Sequence, residues 1–272
     1  LMTGITQRRL WPEGTKPSQV AAQAAGKLLN QLGLGAEEID LLIYAGVCRD
    51  QMEPATATTV HAQLGLSPHT TVFDLSNACL GFLNGIALAG QLISAGQIRR
   101  ALITSGEDAR PLLQETLRIL QQGELGRSQI KPYFANFTIG SGAVAACVAH
   151  ADCQKGNFPL RVTHAVHRAD TTSNQLCQGG SSGDGFQMQT DSEKMLQKGV
   201  GLAQSTWTEF LKAAQWNPDT PEVLISHQVG KQHRKHLYEA LQVDPSRDFS
   251  TFEYLGNVGS ASVPLTLLAA QE

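Results

Sequence analysis

Cys79, His227 and Asn257 are the residues of this 272-residue chain whose types and settings could do chemistry as a set. Cys79 stands in Asn77-Ala78-Cys79-Leu80-Gly81-Phe82, where the apolar run Thr71-Val72-Phe73-Asp74-Leu75 gives way to Leu, Phe, Ile and Ala at helical spacings. A cysteine at or just before a helix's first turn meets unpaired backbone N–H groups and the positive end of the helix dipole. Both favour the nucleophilic thiolate. The competing reading is a core cysteine, a common role for this residue type. His227 ends the run Glu222-Val223-Leu224-Ile225-Ser226-His227, and Asn257 follows Gly256 ahead of a last helix. Singly, His227 could be a satisfied core histidine and Asn257 a turn residue. Jointly, Cys, His and Asn form a working set for acyl transfer. The thiolate attacks a thioester carbonyl, and imidazole and amide N–H groups stabilise the oxygen that gains charge.

The elements that must position these groups alternate between helix and strand. A helix over 19–32 follows Pro17-Ser18 and stops at Gly33 and Gly35; the apolar run 39–47 reads as a parallel strand covered on both faces. A helix over 57–64 leads to the strand before Cys79, and a helix over 80–95 follows it. Strands are expected at 100–104, at 143–150 after Ile139-Gly140-Ser141-Gly142, at 160–166, at 222–227 and near 250–254. Helices are expected at 111–123, 192–214, 231–241 and after Ser262, with an irregular surface excursion over 124–136 and a polar, glycine-rich loop over 178–185. This is an α/β pattern. The stretch IDLLIYAGVCRD matches EVLISHQVGKQ in residue type, and TVFDLSNACLGFLNGIAL matches TFEYLGNVGSASVPLTLL. The match suggests an internal duplication into halves 1–155, carrying the cysteine, and 156–272, carrying the histidine and asparagine. It would set Cys79 and Asn257 at equivalent strand-to-helix junctions, at the strand ends where α/β sheets build sites.

Composition excludes several classes of function. With 42% hydrophobic residues, 17% charged and a net charge of -3, the chain reads as an ordinary globular protein with no nucleic-acid partner. Lys231, Arg234 and Lys235 read as a solvated helix face. No apolar run is long enough to cross a bilayer and Leu1-Met2-Thr3-Gly4 resembles no signal peptide, which points to the cytoplasm. Five cysteines, at 48, 79, 147, 153 and 177, lack CxxC pairing, so neither a disulfide framework nor a metal site is expected.

Three stretches carry a family resemblance: Asn77 to Phe82, Ser226-His227-Gln228-Val229, and Tyr254-Leu255-Gly256-Asn257-Val258-Gly259-Ser260-Ala261-Ser262-Val263-Pro264. In this order they resemble the active-site motifs of the thiolase superfamily, in its β-ketoacyl-ACP synthase III-like branch. The resemblance implies an α/β thiolase fold of five αβαβα layers with two pseudo-symmetric halves, a homodimer, and a Cys79–His227–Asn257 triad. Cys79 would carry the acyl group; His227 and Asn257 would stabilise the enolate or oxyanion of the second substrate. The family's terminal strands are expected to lie outside this stretch of sequence, which ends at Gln271-Glu272.

A finer resemblance is to the OleA-type enzymes, which join two fatty acyl-CoA molecules head to head in long-chain olefin and ketone biosynthesis. It rests on Gly4 to Trp11, on Arg49-Asp50-Gln51-Met52-Glu53-Pro54-Ala55-Thr56-Ala57, and on the run from Asn77 through Asn84 and Gly85. It implies that Glu53, 26 residues before Cys79, reaches across the dimer interface as the base that removes the α-proton. Condensing two unmodified acyl-CoAs needs such a base, because no carbon dioxide is lost to generate the carbanion; a carboxylate in an apolar pocket would have raised proton affinity. Without the resemblance, Glu53 reads as an exposed loop residue. Leu80, Phe82 and Met52 are candidates to line an acyl channel. Arg8, Arg9 and Trp11 are candidates by resemblance to hold coenzyme A, which enters as the thioester substrate, no separate cofactor being expected. The alternatives are a β-ketoacyl-ACP synthase III using malonyl-ACP, with an acyl carrier protein as partner, and an inactive thiolase-fold binding partner. Downstream pathway enzymes are further possible partners.

Overall fold

Leu41, Leu42, Ile43 and Tyr44 are all buried, and this run is strand β1 (Leu41–Tyr44). The computed structural model describes residues 3–123, 126–153, 160–182, 185–227 and 229–272. Along the chain the remaining elements are α1 (Pro17–Leu32), α2 (Thr56–Leu64), β2 (Thr71–Asp74), α3 (Gly81–Ser94), β3 (Arg100–Glu107), α4 (Arg110–Gln121), α5 (Arg127–Ile130), β4 (Gly142–Ala149), β5 (Cys177–Ser182), β6 (Gly185–Thr190), α6 (Ser192–Ala214), α7 (Lys231–Leu241), α8 (Phe252–Leu255) and α9 (Ser262–Ala269).

These elements form two compact units. The sheet unit comprises Leu10–Asp108, Ser141–Thr163 and Val258–Glu272; the hairpin unit comprises Leu1–Arg9, Ala109–Gly140 and His164–Asn257. This division by packing does not follow the order of the chain, and the boundary of the expected halves, between residues 155 and 156, lies outside the described residues.

In the sheet unit the strand order is β2-β1-β3-β4. β1 runs parallel to β2 and β3, with Leu41 opposite Thr71 and Ala101, and β4 runs antiparallel to β3. Two-sided burial explains the unbroken apolar runs. On one face Ala21, Ala25 and Leu29 of α1 and Val60 of α2 pack with Leu42, Tyr44 and Leu102. Each large side chain so enclosed stabilises the unit by roughly 1.5–3 kcal/mol. On α3, a Cβ at Gly85 would lie 3.2 Å from Ile103, so the helix carrying the Cys79 turn sits close against β3.

The hairpin unit holds β5 and β6, paired antiparallel from Cys177 opposite Thr190 to Ser182 opposite Gly185. The loop expected over 178–185 is therefore a hairpin, although residues 183 and 184 lie outside the described residues. Its Gly and Ser content reads as loop, but antiparallel pairing satisfies the backbone. Side chains then fasten it, because Asn136 Nδ2 donates to Met188 O (3.1 Å) and Gln187 Nε2 to Glu115 (3.0 Å). The excursion expected over 124–136 contains α5 and a 3₁₀ stretch, Lys131–Thr138; residues 124 and 125 lie outside the described residues.

Three expected strands are absent among the described residues. Residues 160–166 pair with nothing in a sheet, and Leu160 and Val162 face solvent. The run 222–227 is reduced to one parallel bridge, Leu224 to Asp248, with Val223 55% exposed because no strand covers it. Near 250–254 the chain forms α8: Ser250 Oγ, one residue before the N-cap Thr251, accepts from Phe252 N (3.2 Å) and donates to Glu253 (2.9 Å), so local side-chain bonding outweighs the β-branched and aromatic composition. Arg234, read as part of a solvated face, pairs with Asp248 (2.8 Å) and Glu253 (3.3 Å). No helix among the described residues is long and apolar enough to cross a membrane.

Candidate active site

The strand-to-helix turn that bears Cys79 is under backbone strain. β2 ends at Asp74, a 3₁₀ turn spans Ala78–Leu80, and α3 begins at Gly81. Ala78, next to the cysteine, has φ of +45°, in the left-handed region that side chains with a Cβ rarely adopt. A sharp turn with an unfavourable dihedral at the end of a strand is a way to lift a nucleophile out of the sheet. Packing holds the turn in place: a Cβ at Gly81 would lie 2.7 Å from Ala45 O, and Phe82 N donates to Ser260 Oγ (2.8 Å). Cys79 is partly exposed. The other cysteines are poorer candidates for a nucleophile. Burial pushes the Cys48 thiol well up and Cys147 to about 11, Cys153 is buried against Arg99 Nε (3.1 Å), and Cys177 lies in β5 beside Thr190.

Glu53 sits in the loop between β1 and α2, and that loop is pinned by carboxylates. Glu107 accepts from the amides of Val47 (2.9 Å) and Cys48 (3.1 Å). Asp50 accepts from Ser18 N (2.9 Å) and Oγ (2.6 Å) at the start of α1. Asp74 of β2 accepts from Thr56 N (2.9 Å) and Ala57 N (2.8 Å), capping α2 from a neighbouring strand. Between these anchors Glu53 is exposed, and Met52 is 83% exposed. Within one chain, then, Glu53 lies in solvent and not in an apolar pocket. Of the expected channel residues, Phe82 is fully buried core, whereas Leu80 and Met52 are exposed.

The hairpin unit carries the other two groups. His227 is partly exposed as a residue, but its Nδ1 is buried without a hydrogen-bond partner among the described residues. Burial, with a smaller contribution from His233, lowers its pKa from 6.5 to about 4, so the ring is neutral at neutral pH. Gln228 of its motif lies outside the described residues. Asn257 is buried, and its backbone is clamped: its N–H donates to Thr138 O (2.8 Å) and its carbonyl accepts from Gly140 N (2.8 Å). Gly256 before it has φ of +73°, and a Cβ there would lie 2.5 Å from Thr138 O, so this position requires glycine. Gly140, where a Cβ would run into Leu255 O, thus packs directly beside the Asn257 backbone.

The sheet unit therefore holds Cys79 and Glu53, and the hairpin unit holds His227 and Asn257. Of the residues assigned to coenzyme A, Arg8 is half-buried and donates to Phe137 O, with its pKa lowered by burial. Trp11 donates its indole N–H to Glu107 O (3.0 Å), and Arg9 is exposed. Sequence reasoning missed Glu107. An acid four residues past the apolar run Ala101 to Ile103, with no other charge between them, was the signal that could have found it.

Comparison with known proteins gives the arrangement a context. Residues 73–119 match a family model described as 3-oxoacyl-[acyl-carrier-protein (ACP)] synthase III, and residues 211–272 match the C-terminal model of the same synthase. The chain is 37% identical to an acyl-CoA:acyl-CoA alkyltransferase of Shewanella oneidensis over 100% of its own length and 79% of that protein's. A β-ketoacyl-ACP synthase III of Rhodospirillum rubrum is 31% identical over 99% of this chain and 79% of that protein. A crystal structure of Xanthomonas campestris OleA with its cysteine replaced by alanine superposes with a TM-score of 0.92 at 33% identity, covering 99% of this chain and 76% of that one. Other structures of that protein carry substitutions at a glutamate and a histidine, or hold lauric acid and lauroyl-CoA. Its substituted glutamate and cysteine are as far apart in sequence as Glu53 and Cys79 are here.

Proposed function

Because the chain belongs to the thiolase superfamily, among the OleA-type acyl-CoA:acyl-CoA alkyltransferases of the β-ketoacyl-ACP synthase III-like branch, we propose that it joins two fatty acyl-CoA thioesters by non-decarboxylative Claisen condensation. In this reading the Cys79 thiolate attacks the carbonyl of the first acyl-CoA, the C–S bond to coenzyme A breaks, and the acyl group remains on Cys79 as a thioester. Glu53 takes an α-proton from the second acyl-CoA. The resulting enolate carbon attacks the acyl-enzyme, the bond to Cys79 sulfur breaks, and a β-ketoacyl-CoA leaves. His227 and Asn257 donate hydrogen bonds to the enolate oxygen; a histidine whose pKa is about 4 does so as a neutral ring.

The observation that carries this reading is the pairing of Glu53 with Cys79 at the separation found in Xanthomonas campestris OleA. A decarboxylating synthase needs no such base. Exposure of Glu53 on a loop pinned at both ends suits a residue delivered to a partner's site, and the reading includes a homodimer and a cytoplasmic enzyme. Coenzyme A phosphates fall to Arg9, with Arg8 and Trp11 serving the backbone. Supplying myristoyl-CoA as the sole substrate tests the reading. A β-keto product with release of free coenzyme A is expected; product that forms only when malonyl-ACP is added would assign the chain to the synthase III reaction instead. No acyl-enzyme at Cys79 would leave an inactive binding partner.

A further inference from the structure

Glu107 ends β3 inside the sheet unit, 3% exposed, with more donors on its carboxylate than a space-filling role requires. Its Oε1 accepts from Val47 N (2.9 Å), Ser260 N (3.1 Å) and Ser105 Oγ (3.2 Å), and its Oε2 accepts from Cys48 N (3.1 Å). Each bond leads to chemistry. Val47 and Cys48 open the loop that carries Glu53, and Ser260 lies in the turn that follows Asn257. Ser260 also accepts, through Oγ, the amide of Phe82 at the start of the helix behind Cys79 (2.8 Å). The surroundings fix the glutamate itself. Trp11 holds its carbonyl, Tyr44 Oη sits between Cys48 O (2.5 Å) and Gly106 O (2.8 Å), and Cys48 Sγ accepts from Asp108 N (3.3 Å). Gly259, at φ of +54°, leaves room for the carboxylate: a Cβ there would lie 3.1 Å from Glu107 Cδ.

We propose that Glu107 is a positioning residue for the condensation, holding the Glu53 loop, the turn after Asn257 and the Cys79 turn to one buried carboxylate. The inference rests on the proposed reaction for its consequence, not for its geometry. A carboxylate only accepts, and it meets N–H donors on both oxygens; a glutamine of the same shape turns an NH₂ group onto one of those donors. Whichever way the amide turns, at least one arm loses its bond while the core keeps its volume: Cys48 if the NH₂ replaces Oε2, Val47 and Ser260 if it replaces Oε1. An apolar filler would pack as well but would leave three amides, the buried one of Ser260 among them, without this acceptor.

Two measurements test it on the purified protein and on Glu107→Gln. In hydrogen exchange, the amide of Cys48, or those of Val47 and Ser260 if the NH₂ turns the other way, is expected to exchange at least tenfold faster in Glu107→Gln, while those of Leu42 and Ile43 in β1 stay within twofold. Unchanged exchange at those amides, or a uniform rise that includes β1, overturns the proposal. In the reaction, intact mass after mixing with myristoyl-CoA counts the acylated sites. Condensation per acylated site is expected to fall at least tenfold with KM within twofold, a ratio that loss of folded protein alone does not move. Condensation per site within twofold of the unsubstituted protein overturns it. Gly259→Ala, which crowds the carboxylate without removing a donor, is expected to reproduce both effects and decides the matter if Glu107→Gln does not fold. If the unsubstituted protein does not condense, the reaction assigned above fails, and hydrogen exchange alone decides the role of Glu107.

Discussion

Glu53 belongs to a loop whose flanking amides are held by carboxylates and Cys79 to a turn tied to the buried Ser260, whereas His227 ends a segment that, among the described residues, has one bridge to its neighbour and a ring nitrogen without a partner. The two regions face different chemical demands. In the proposed reaction a nucleophile and a base must be placed within a narrow geometry, which the fixing of short loops by Glu107, Asp50 and Asp74 would serve. A neutral imidazole that stabilises a developing charge needs desolvation first. Burial that takes its pKa to about 4 supplies this, and the unpaired Nδ1 is the accompanying cost. Under the proposed reaction, the contrast teaches that Cys79, Glu53 and Asn257 are placed by hydrogen bonds, and that His227 is prepared by exclusion of water.

Substitutions at the two regions should break this contrast unequally. Cys79→Ala is expected to remove acylation and condensation together, by on the order of 10⁴-fold or more in kcat, read as loss of the acyl-enzyme mass and of product. His227→Asn is expected to cost about 10²–10³-fold in kcat while acylation of Cys79 persists, since one donor to an oxyanion is lost. Equal loss of both steps would remove the distinction between the regions. The same histidine sharpens it through pH. Unfolded, the ring takes a proton near 6.5; folded, only near 4, so between these values the unfolded state binds more protons. Stability that His227 contributes above pH 6.5 is lost as pH falls toward 4, and the fall in Tm over that window should be shallower in His227→Asn.

Smaller effects are expected where the backbone alone is at stake. Gly256→Ala forces a left-handed φ on a Cβ that meets Thr138 O, and should lower stability by roughly 1–3 kcal/mol in denaturant titration. Asp74→Asn keeps the fold but weakens the cap on α2, at about 1 kcal/mol. If this last change slowed condensation more than it lowered stability, the loop of Glu53 would depend on its far anchor as well as on Glu107.

Legibility in the sequence divides along the same line. The strands of the sheet unit were readable because Leu41 to Tyr44 and Ala101 to Ile103 are buried, which leaves continuous apolar runs, and because α1 ends at Gly33. The three motifs gave Cys79, His227 and Asn257, and the strained turn at Ala78 and the clamp on Asn257 fit those positions. Strand 222–227 had the right composition but, among the described residues, a single bridge from Leu224 to Asp248, and pairing is a property of neighbours that composition does not carry. Ser250 and Glu253 started a helix where aromatic residues suggested a strand. The hairpin of β5 and β6 escaped because its ladder is satisfied by backbone and fastened by Asn136 and Gln187, far away in sequence.

Glu53 is where the comparison is most exposed, since the resemblance assigns it the proton while one chain leaves it in solvent. Intact mass spectrometry of Glu53→Ala after mixing with myristoyl-CoA addresses it directly. The account predicts a chain that gains one myristoyl group on Cys79, keeps it, and releases no β-keto product. Product formed at the rate of the unsubstituted protein would contradict it, because the α-proton would then leave by another route.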